Sequence, residues 1–416
     1  MRAIAGQPSD GKEKTAVLPD EEPLLNRKLG FAPSASPLPC RPVPAVHSPA
    51  ALRPLSRTNT DSIPAGAPFA AALVPAEHPT DPLHPFTAPD AAAAGLGPTV
   101  ALPQTIAHRG YTSEYPENTM EAFRAAVAVG AHALETDVHL SRDGVVVLSH
   151  DPTLRRCFGR RDKIADLDWA ELATLRTLRP PHSPMPRLLD LLAFLATEPA
   201  AARTWVLLDL KRSDDPAELV RRVADTIAAA HHPGGPPPWA DRLALGCWDA
   251  RYMRLCRAHL PGFPLVYIGW SIAYARHLLR YEGVHFNLQQ RVLVGPWGRH
   301  FVRQAQARGR RVLVWTVNHE EWMEWSIRRG VDGVITDDPK LFLDVCRRWD
   351  DEAARAVPAG RPVLGRTARE TTPSRWAKLY AEVALFQVLS MLFGIAMRIA
   401  LGPERTRIQS ALNDKR

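Results

Sequence analysis

Between about residues 99 and 349, short apolar runs alternate with longer amphipathic ones, the pattern of strands and helices taking turns in an α/β fold. Eight apolar runs predict strands at 105–109, 133–140, 205–210, 243–247, 265–268, 284–288, 312–317 and 333–336. Helical periodicity predicts helices that include 118–129, 216–230, 272–279, 297–308, 320–329 and 340–349. Eight strands with intervening helices predict a closed parallel (β/α)8 TIM barrel. The main excess lies between the second and third strands, where a further strand (145–150) and two helices (168–178 and 188–195) are inserted. Insertions at that end of a barrel strand lie over its mouth.

The flanks read differently. Residues 1–100 form an extension whose stretch 31–97 is dominated by Pro, Ala and Ser without periodicity, so it is expected to stay disordered. The barrel is expected over 101–349, a linker over 350–375 and a tail over 376–416. Within the tail, 383–397 is uncharged and strongly apolar, yet shorter than the roughly 20 residues that span a bilayer. Trp376 and Tyr380 precede it, and Lys378, Arg398, Arg405 and Arg407 flank it, as interfacial anchors facing anionic lipid would. A membrane-associating helix that lies in the interface is the expectation; the competing reading is a helix that covers the barrel.

Composition narrows the partners. The formal charge of +8 and pI near 9.4 favour anionic partners. Nucleic acid is not expected, because no zinc-finger spacing, RNA-recognition motif or helix-turn-helix pattern is visible. The five cysteines are odd in number, scattered and free of any Cys-x-x-Cys pair, which fits a reducing compartment without disulfides or zinc. No apolar run follows Met1, so secretion is not expected.

The candidate chemistry gathers at strand ends. His108 and Arg109 close the first strand; alone, the histidine reads rather as a capped loop residue. Glu135 and Asp137 stand two apart on the second strand, so both carboxylates leave one face of an otherwise apolar segment, where they repel unless a cation sits between them. Asp143-Gly144 signals a two-residue hairpin that pairs 142 with 145 and, continued, sets His150 opposite Asp137. Asp209 and Lys211, two apart on the third strand, add a third carboxylate and a cation; a salt bridge is the bland alternative. Three carboxylates, two histidines, an arginine and a lysine suit Mg²⁺ or Ca²⁺ and the cleavage of a phosphodiester.

These residues fall in a known order. His108-Arg109-Gly110, Pro116-Glu117-Asn118-Thr119, Glu135-x-Asp137, Asp143-Gly144, His150-Asp151, Asp209-x-Lys211, Trp315-Thr316-Val317-Asn318 and Asp332-Gly333 resemble the glycerophosphodiester phosphodiesterase family over about residues 103 to 349. The resemblance implies a barrel with one divalent cation held by Glu135, Asp137 and Asp209. It implies His108 and His150 as acid and base in unassigned order, Arg109 and Lys211 as a phosphate clamp, and Trp315 on the glycerol side unless it packs the core. Trp322 and Trp325 read as packing. That family usually has glutamate where Asp209 stands; the related sphingomyelinase D enzymes carry aspartate there, although their C-terminal signature is absent. The segments 134–156, 175–188, 245–248 with 260–268, 287–295 and 322–339 are similar to the fungal phosphatidylglycerol phospholipase C branch. That likeness implies release of diacylglycerol and glycerol phosphate from phosphatidylglycerol, at an intracellular membrane such as endoplasmic reticulum, lipid droplet or mitochondrion. The alternatives are a soluble hydrolase of deacylated glycerophosphodiesters and a catalytically silent lipid-binding adaptor.

Overall fold

The computed structural model of the chain describes residues 102–230, 238–356, 363, 365 and 372–401. The expected extension 1–100 lies outside the described residues, as do most of the expected linker and the end of the tail with Arg405 and Arg407.

Nine strands are present among the described residues: β1 (Gln104–His108), β2 (Ala133–Leu140), β3 (Val146–Leu148), β4 (Trp205–Leu210), β5 (Leu243–Cys247), β6 (Leu265–Gly269), β7 (Val284–Gln289), β8 (Val312–Trp315) and β9 (Gly333–Thr336). Eight of them pair in parallel in the order β1-β9-β8-β7-β6-β5-β4-β2, and β1 also pairs with β2, so the sheet closes into a barrel. The eight expected strands are these eight, each displaced by two residues at most. The strands are Val- and Leu-rich because both faces are covered, by side chains inside and helices outside.

β2 explains the site. Along Ala133 to Val138 one edge pairs with β4, and the other edge is shared: β1 takes Ala133 to Glu135, and antiparallel β3 takes Val138 to Leu140. Between them, Thr136 and Asp137 have no strand neighbour on that edge, and Asn118 fills the gap. Its Oδ1 accepts from Thr136 Oγ1 at 2.7 Å, and its Nδ2 donates to Asp137 Oδ2 at 2.8 Å. Asn118 takes φ of 53° there, a left-handed conformation that asparagine tolerates better than most residues.

The β2–β3 register is one residue away from the expected one. Val138 faces Leu148 and Leu140 faces Val146, and Ser141 exchanges main-chain bonds with Gly144 and Val145. The loop is therefore the three residues Arg142-Asp143-Gly144, with Gly144 at φ 80°, rather than a two-residue turn. Asp137 consequently meets Ser149, whose N–H donates to the Asp137 carbonyl at 3.1 Å, and not His150.

Helices differ at three places. The expected helix 168–178 is helical only over Trp169–Leu172, because the chain turns back to bridge Arg176 with Pro184. Ala250–His259, capped by Asp249 Oδ1 accepting from the Arg251 and Tyr252 N–H groups, was not among the expected helices. The last barrel helix runs Pro339–Ala356, past the expected boundary at 349.

The segment inserted after β3 has a core of its own, with Val147, Leu154, Ile164, Leu172 and Met185 buried together. It grips the β1 exit loop through Arg179, which donates to the Tyr115 and Ser113 carbonyls at 2.8 and 2.7 Å. Helix Pro373–Leu401 packs on the segment Gln290–Leu293 that follows β7: Gln387 Nε2 donates to the Arg291 and Val294 carbonyls at 2.9 and 3.1 Å. Val383 and Phe386 are buried, and Tyr380 lies edge-on to Trp322, which itself packs against Trp325. Among the described residues no helix is long and apolar enough to cross a membrane.

Candidate active site

Strand alternation carries the barrel interior from apolar to polar. Ile106, Ala133, Trp205, Leu207, Ala244, Ile268 and Ile335 belong to one buried core. In steps of two toward the carboxyl ends, the same faces present His108, Glu135 and Asp137, Asp209 and Lys211, Trp248, Trp270 and Asp337. Register aligns them: Asp137 is the direct partner of Asp209, and Glu135 of His108.

Glu135, Asp137 and Asp209 are all buried, and each offers an oxygen within 4.8 Å of the others. Lys211 Nζ lies 2.8 Å from both Asp137 Oδ1 and Asp209 Oδ2. Arg109 Nε lies 3.2 Å from Asp137 Oδ2, and the Arg109 main-chain N–H donates to Glu135 Oε2 at 3.1 Å. That last bond is made with Arg109 at φ 57°, a costly conformation for a long side chain, held by the carboxylate it serves.

Charge in this pocket does not balance. Burial and the neighbouring Asp137 push Glu135 well above the usual carboxyl range. Burial also raises Asp209, with Lys211 opposing and Asp137 adding to the effect. Burial would raise Asp137 too, but Lys211 and Arg109 outweigh it and hold Asp137 well below the ordinary value. Three convergent carboxylates with too little positive charge among them form a donor set that fits a divalent cation with hard oxygen ligands. Asp209, the shorter residue at its position, is fixed on both oxygens: Lys211 holds Oδ2 and the Trp248 indole N–H donates to Oδ1 at 2.7 Å.

Both histidines sit beside the triad, each with Nδ1 against an aspartate. His108 Nδ1 is 2.6 Å from Asp337 Oδ1, and its Nε2 is 4.0 Å from Glu135 Oε2. Asp337 also accepts from Thr112 Oγ1 and Asn318 Nδ2. Burial would raise Asp337, but His108 and Arg109 bring it down to about 2. His150 Nδ1 is 2.8 Å from Asp151 Oδ1. Burial, Arg109 and Lys211 lower His150, yet Asp137 and Asp151 prevail and its pKa stands above the ordinary value.

His150 reaches the pocket by a route other than the expected pairing. It lies two residues past the end of β3, where strict alternation no longer applies, and its imidazole comes within electrostatic reach of Asp137, Arg109 and Lys211. An outer ring locks the entrance: Arg109 Nη1 is 3.1 Å from Glu117 Oε1, Arg156 pairs with Glu117, and Arg156 Nε donates to Asp151 Oδ2 at 2.7 Å. Burial would raise Glu117, but Arg109 and Arg156 bring it down to about 2.

Trp315 is buried, its indole N–H donates to the Asn287 carbonyl at 3.2 Å, and its ring meets Trp248 edge-on at 6.0 Å, with Trp270 beyond at 5.9 Å from Trp248. The residues that sequence reasoning passed over are Asp337, Trp248 as a partner of Asp209, and Asn118 as the support of Asp137. Asp337 had a signal: closure of the barrel pairs Ala107 with Thr336, so the next residues along, His108 and Asp337, fall side by side.

Comparison with known proteins agrees with this geometry. Residues 108–341 match the model of the glycerophosphoryl diester phosphodiesterase family. The chain is 27% identical over 290 residues to mouse lysophospholipase D GDPD3, covering 61% of this chain and 84% of that protein. It is 28% identical over 270 residues to the probable glycerophosphodiester phosphodiesterase 2 of Mycobacterium tuberculosis, covering 59% and 92%. Its fold is similar to that of an Oleispira antarctica phosphodiesterase solved with the product sn-glycerol-3-phosphate, at TM-score 0.51 and 24% identity over 58% of this chain and 96% of that one.

Proposed function

The chain belongs to the glycerophosphoryl diester phosphodiesterase family and is a phosphoric diester hydrolase; from that premise we propose that it cleaves phosphatidylglycerol at a membrane surface, releasing diacylglycerol and glycerol phosphate. The observation that carries the catalytic reading is the convergence of Glu135, Asp137 and Asp209 beside two aspartate-backed histidines. Those three carboxylates would hold one divalent cation, Mg²⁺ or Ca²⁺, which would supply Lewis-acid polarisation of the phosphoryl oxygens. Arg109 and Lys211 take the non-bridging oxygens, and the glycerol side of the substrate meets the Trp248, Trp270 and Trp315 wall.

The glycerol head group supplies its own nucleophile. His108, its Nδ1 against Asp337, takes the proton of the 2-hydroxyl as that oxygen attacks phosphorus, and His150, whose pKa stands high, gives its proton to the departing diacylglycerol oxygen. Water then opens the five-membered cyclic phosphate with the two histidines in exchanged roles, giving glycerol phosphate.

The membrane part of the reading rests on helix Pro373–Leu401. One face is occupied by the barrel through Val383, Phe386 and Gln387; the other exposes Leu385, Val388, Leu389, Met391, Leu392, Ile395 and Ile399. Its dock, Gln290–Leu293, follows the carboxyl end of β7, the end of the barrel where the site lies. Trp297, 74% exposed, follows three residues after Val294. An apolar face at the rim of the mouth supports a helix that lies in the lipid interface and turns the pocket toward its substrate. A soluble enzyme acting on deacylated diesters is the second reading, favoured by the names of relatives such as the mycobacterial one.

Purified protein is offered phosphatidylglycerol vesicles and glycerophosphoglycerol with each cation in turn. Faster release of glycerol phosphate from the vesicles is expected, together with trapped glycerol cyclic phosphate. The double variant Leu385→Glu and Leu392→Glu should lose vesicle binding and vesicle hydrolysis and keep its rate on glycerophosphoglycerol. Equal rates on vesicles for variant and wild type reject the membrane reading, and hydrolysis of glycerophosphoglycerol alone supports the soluble enzyme.

A further inference from the structure

A third histidine lies behind the site. His139 continues the row of Glu135 and Asp137 on β2, but at that height the strand has passed the barrel rim and pairs with Val147 of β3. It is 2% exposed, and both ring nitrogens face oxygen. Nδ1 lies 2.6 Å from Asp214 Oδ2, and Nε2 lies 3.1 Å from the carbonyl oxygen of His150. Asp214 is fixed in turn, because its Oδ1 accepts the Leu140 main-chain N–H at 3.1 Å, and Ser213 Oγ lies 3.4 Å from the His139 ring. The imidazole thus spans from the loop after β4 to the residue that the chemistry needs.

The reason a strut is needed there follows from the register. β3 stops pairing at Leu148, and the last main-chain link to β2 is the Ser149 N–H on the Asp137 carbonyl. Beyond it the backbone of His150 has left the sheet. Its ring is oriented by Asp151, which is tied in turn through the half-exposed Arg156 to Glu117 on the β1 exit loop, so that bond sets the direction of the ring through a chain of side chains. The His139 Nε2–H donated to the His150 carbonyl ties that backbone to β2, two residues from Asp137.

We propose that the His139–Asp214 pair is a positioning device for His150: it holds the His150 backbone at a fixed height over the carboxylate triad, touching neither substrate nor cation. This rests on His150 being one of the two proton-transfer groups. A reacting group displaced by about 1 Å can cost roughly a hundredfold in rate while binding is little affected, so loss of the strut belongs in kcat.

Turnover of glycerophosphoglycerol at saturating Mg²⁺ or Ca²⁺ is measured for wild type, His139→Leu, His139→Gln, Asp214→Asn and His150→Ala. Titration calorimetry with the cation alone and thermal melting accompany each. His139→Leu should lose about ten- to a hundredfold in kcat, with KM and cation affinity each within about threefold of wild type. His139→Gln, which retains a side-chain N–H for the His150 carbonyl, should recover most of the rate. Asp214→Asn, which keeps an accepting oxygen for His139, should fall between, and it decides the matter if His139→Leu fails to fold. Unchanged kcat in His139→Leu with inactive His150→Ala overturns the strut alone. Loss of cation binding in His139→Leu, or no recovery with Gln, assigns His139 to the metal pocket or to general stability and likewise overturns it. An active His150→Ala removes the catalytic assignment on which the proposal stands.

Discussion

Glu117→Gln tests the outer ring of charge. The Glu117 carboxyl is brought from 4.5 to about 2, burial opposing and Arg109 and Arg156 prevailing. A tenfold change in proton affinity corresponds to about 1.4 kcal/mol, so ionised Glu117 contributes between about 3 and 4 kcal/mol at pH 7. Its side chain is 19% exposed, so solvent screens the pairs only in part. Glutamine keeps one accepting oxygen for the two guanidinium groups and gives up the charge, for an expected loss of about 2–3 kcal/mol.

The sign follows from a folded pKa below the unfolded one. The contribution is fully present above about pH 4.5 and is lost as pH falls through about 2. The gap between wild type and variant should therefore stay near its neutral value down to about pH 4.5 and narrow by about 1.4 kcal/mol, to roughly half of it or less, by about pH 3.5. Urea unfolding of both proteins at intervals between those pH values reads it directly. A gap below about 0.5 kcal/mol at pH 7, the range of an ordinary exposed pair, or a gap that does not narrow on acidification, refutes the assignment. Freed from Glu117, Arg109 can also shift toward Asp137, so a change in KM is a second readout.

Two further perturbations read other parts of the site. Asp337→Asn removes the ionised partner of His108 Nδ1 and should lower kcat by about ten- to a thousandfold; a thermal melt within a few degrees of wild type separates this from unfolding. In Gly110→Ala, φ of 87° and a Cβ built 2.7 Å from the Ala122 main chain should cost at least about 2 kcal/mol in urea unfolding, and wild-type stability would mean that the β1 exit loop is not constrained as described.

Strand parity made much of the site legible. Once the second and third barrel strands are read as apolar on both faces, Glu135, Asp137, Asp209 and Lys211 are the charged positions that break the pattern, and steps of two place them together. The hairpin was less secure. Asp143-Gly144 signals a turn, but a two-residue and a three-residue loop share that dipeptide, and the choice moves the register by one residue. His150 still faces the triad because it lies beyond β3, which spacing within a strand cannot show. Asp337 stayed hidden for a different reason: its bond to His108 joins residues 229 apart, and only closure of β9 onto β1 brings them side by side. Helix Ala250–His259 buries Ala250, Met253 and Cys256 but carries Arg251, Arg254 and Arg257 among them, so its polar face obscured the apolar one.

The charge arrangement also bears on how the pocket would receive an anion. Glu135, Asp137 and Asp209 together carry one negative charge more than Arg109 and Lys211 neutralise, and the rise of Glu135 is how the protein alone relieves that excess. A phosphodiester anion entering such a pocket would meet repulsion. With a divalent cation held by the three carboxylates, the same five side chains and the ion sum to one positive charge, which matches the single negative charge of the diester. A bound cation would thus ease entry of the diester. Lys211 bridges Asp137 and Asp209, and the Arg109 guanidinium lies against Asp137, so the fixed positive charge gathers on the aspartate side of the triad. Glu135, where burial and the Asp137 charge outweigh the help that Arg109 and Lys211 give, is the carboxyl whose ionisation a bound divalent cation would favour most.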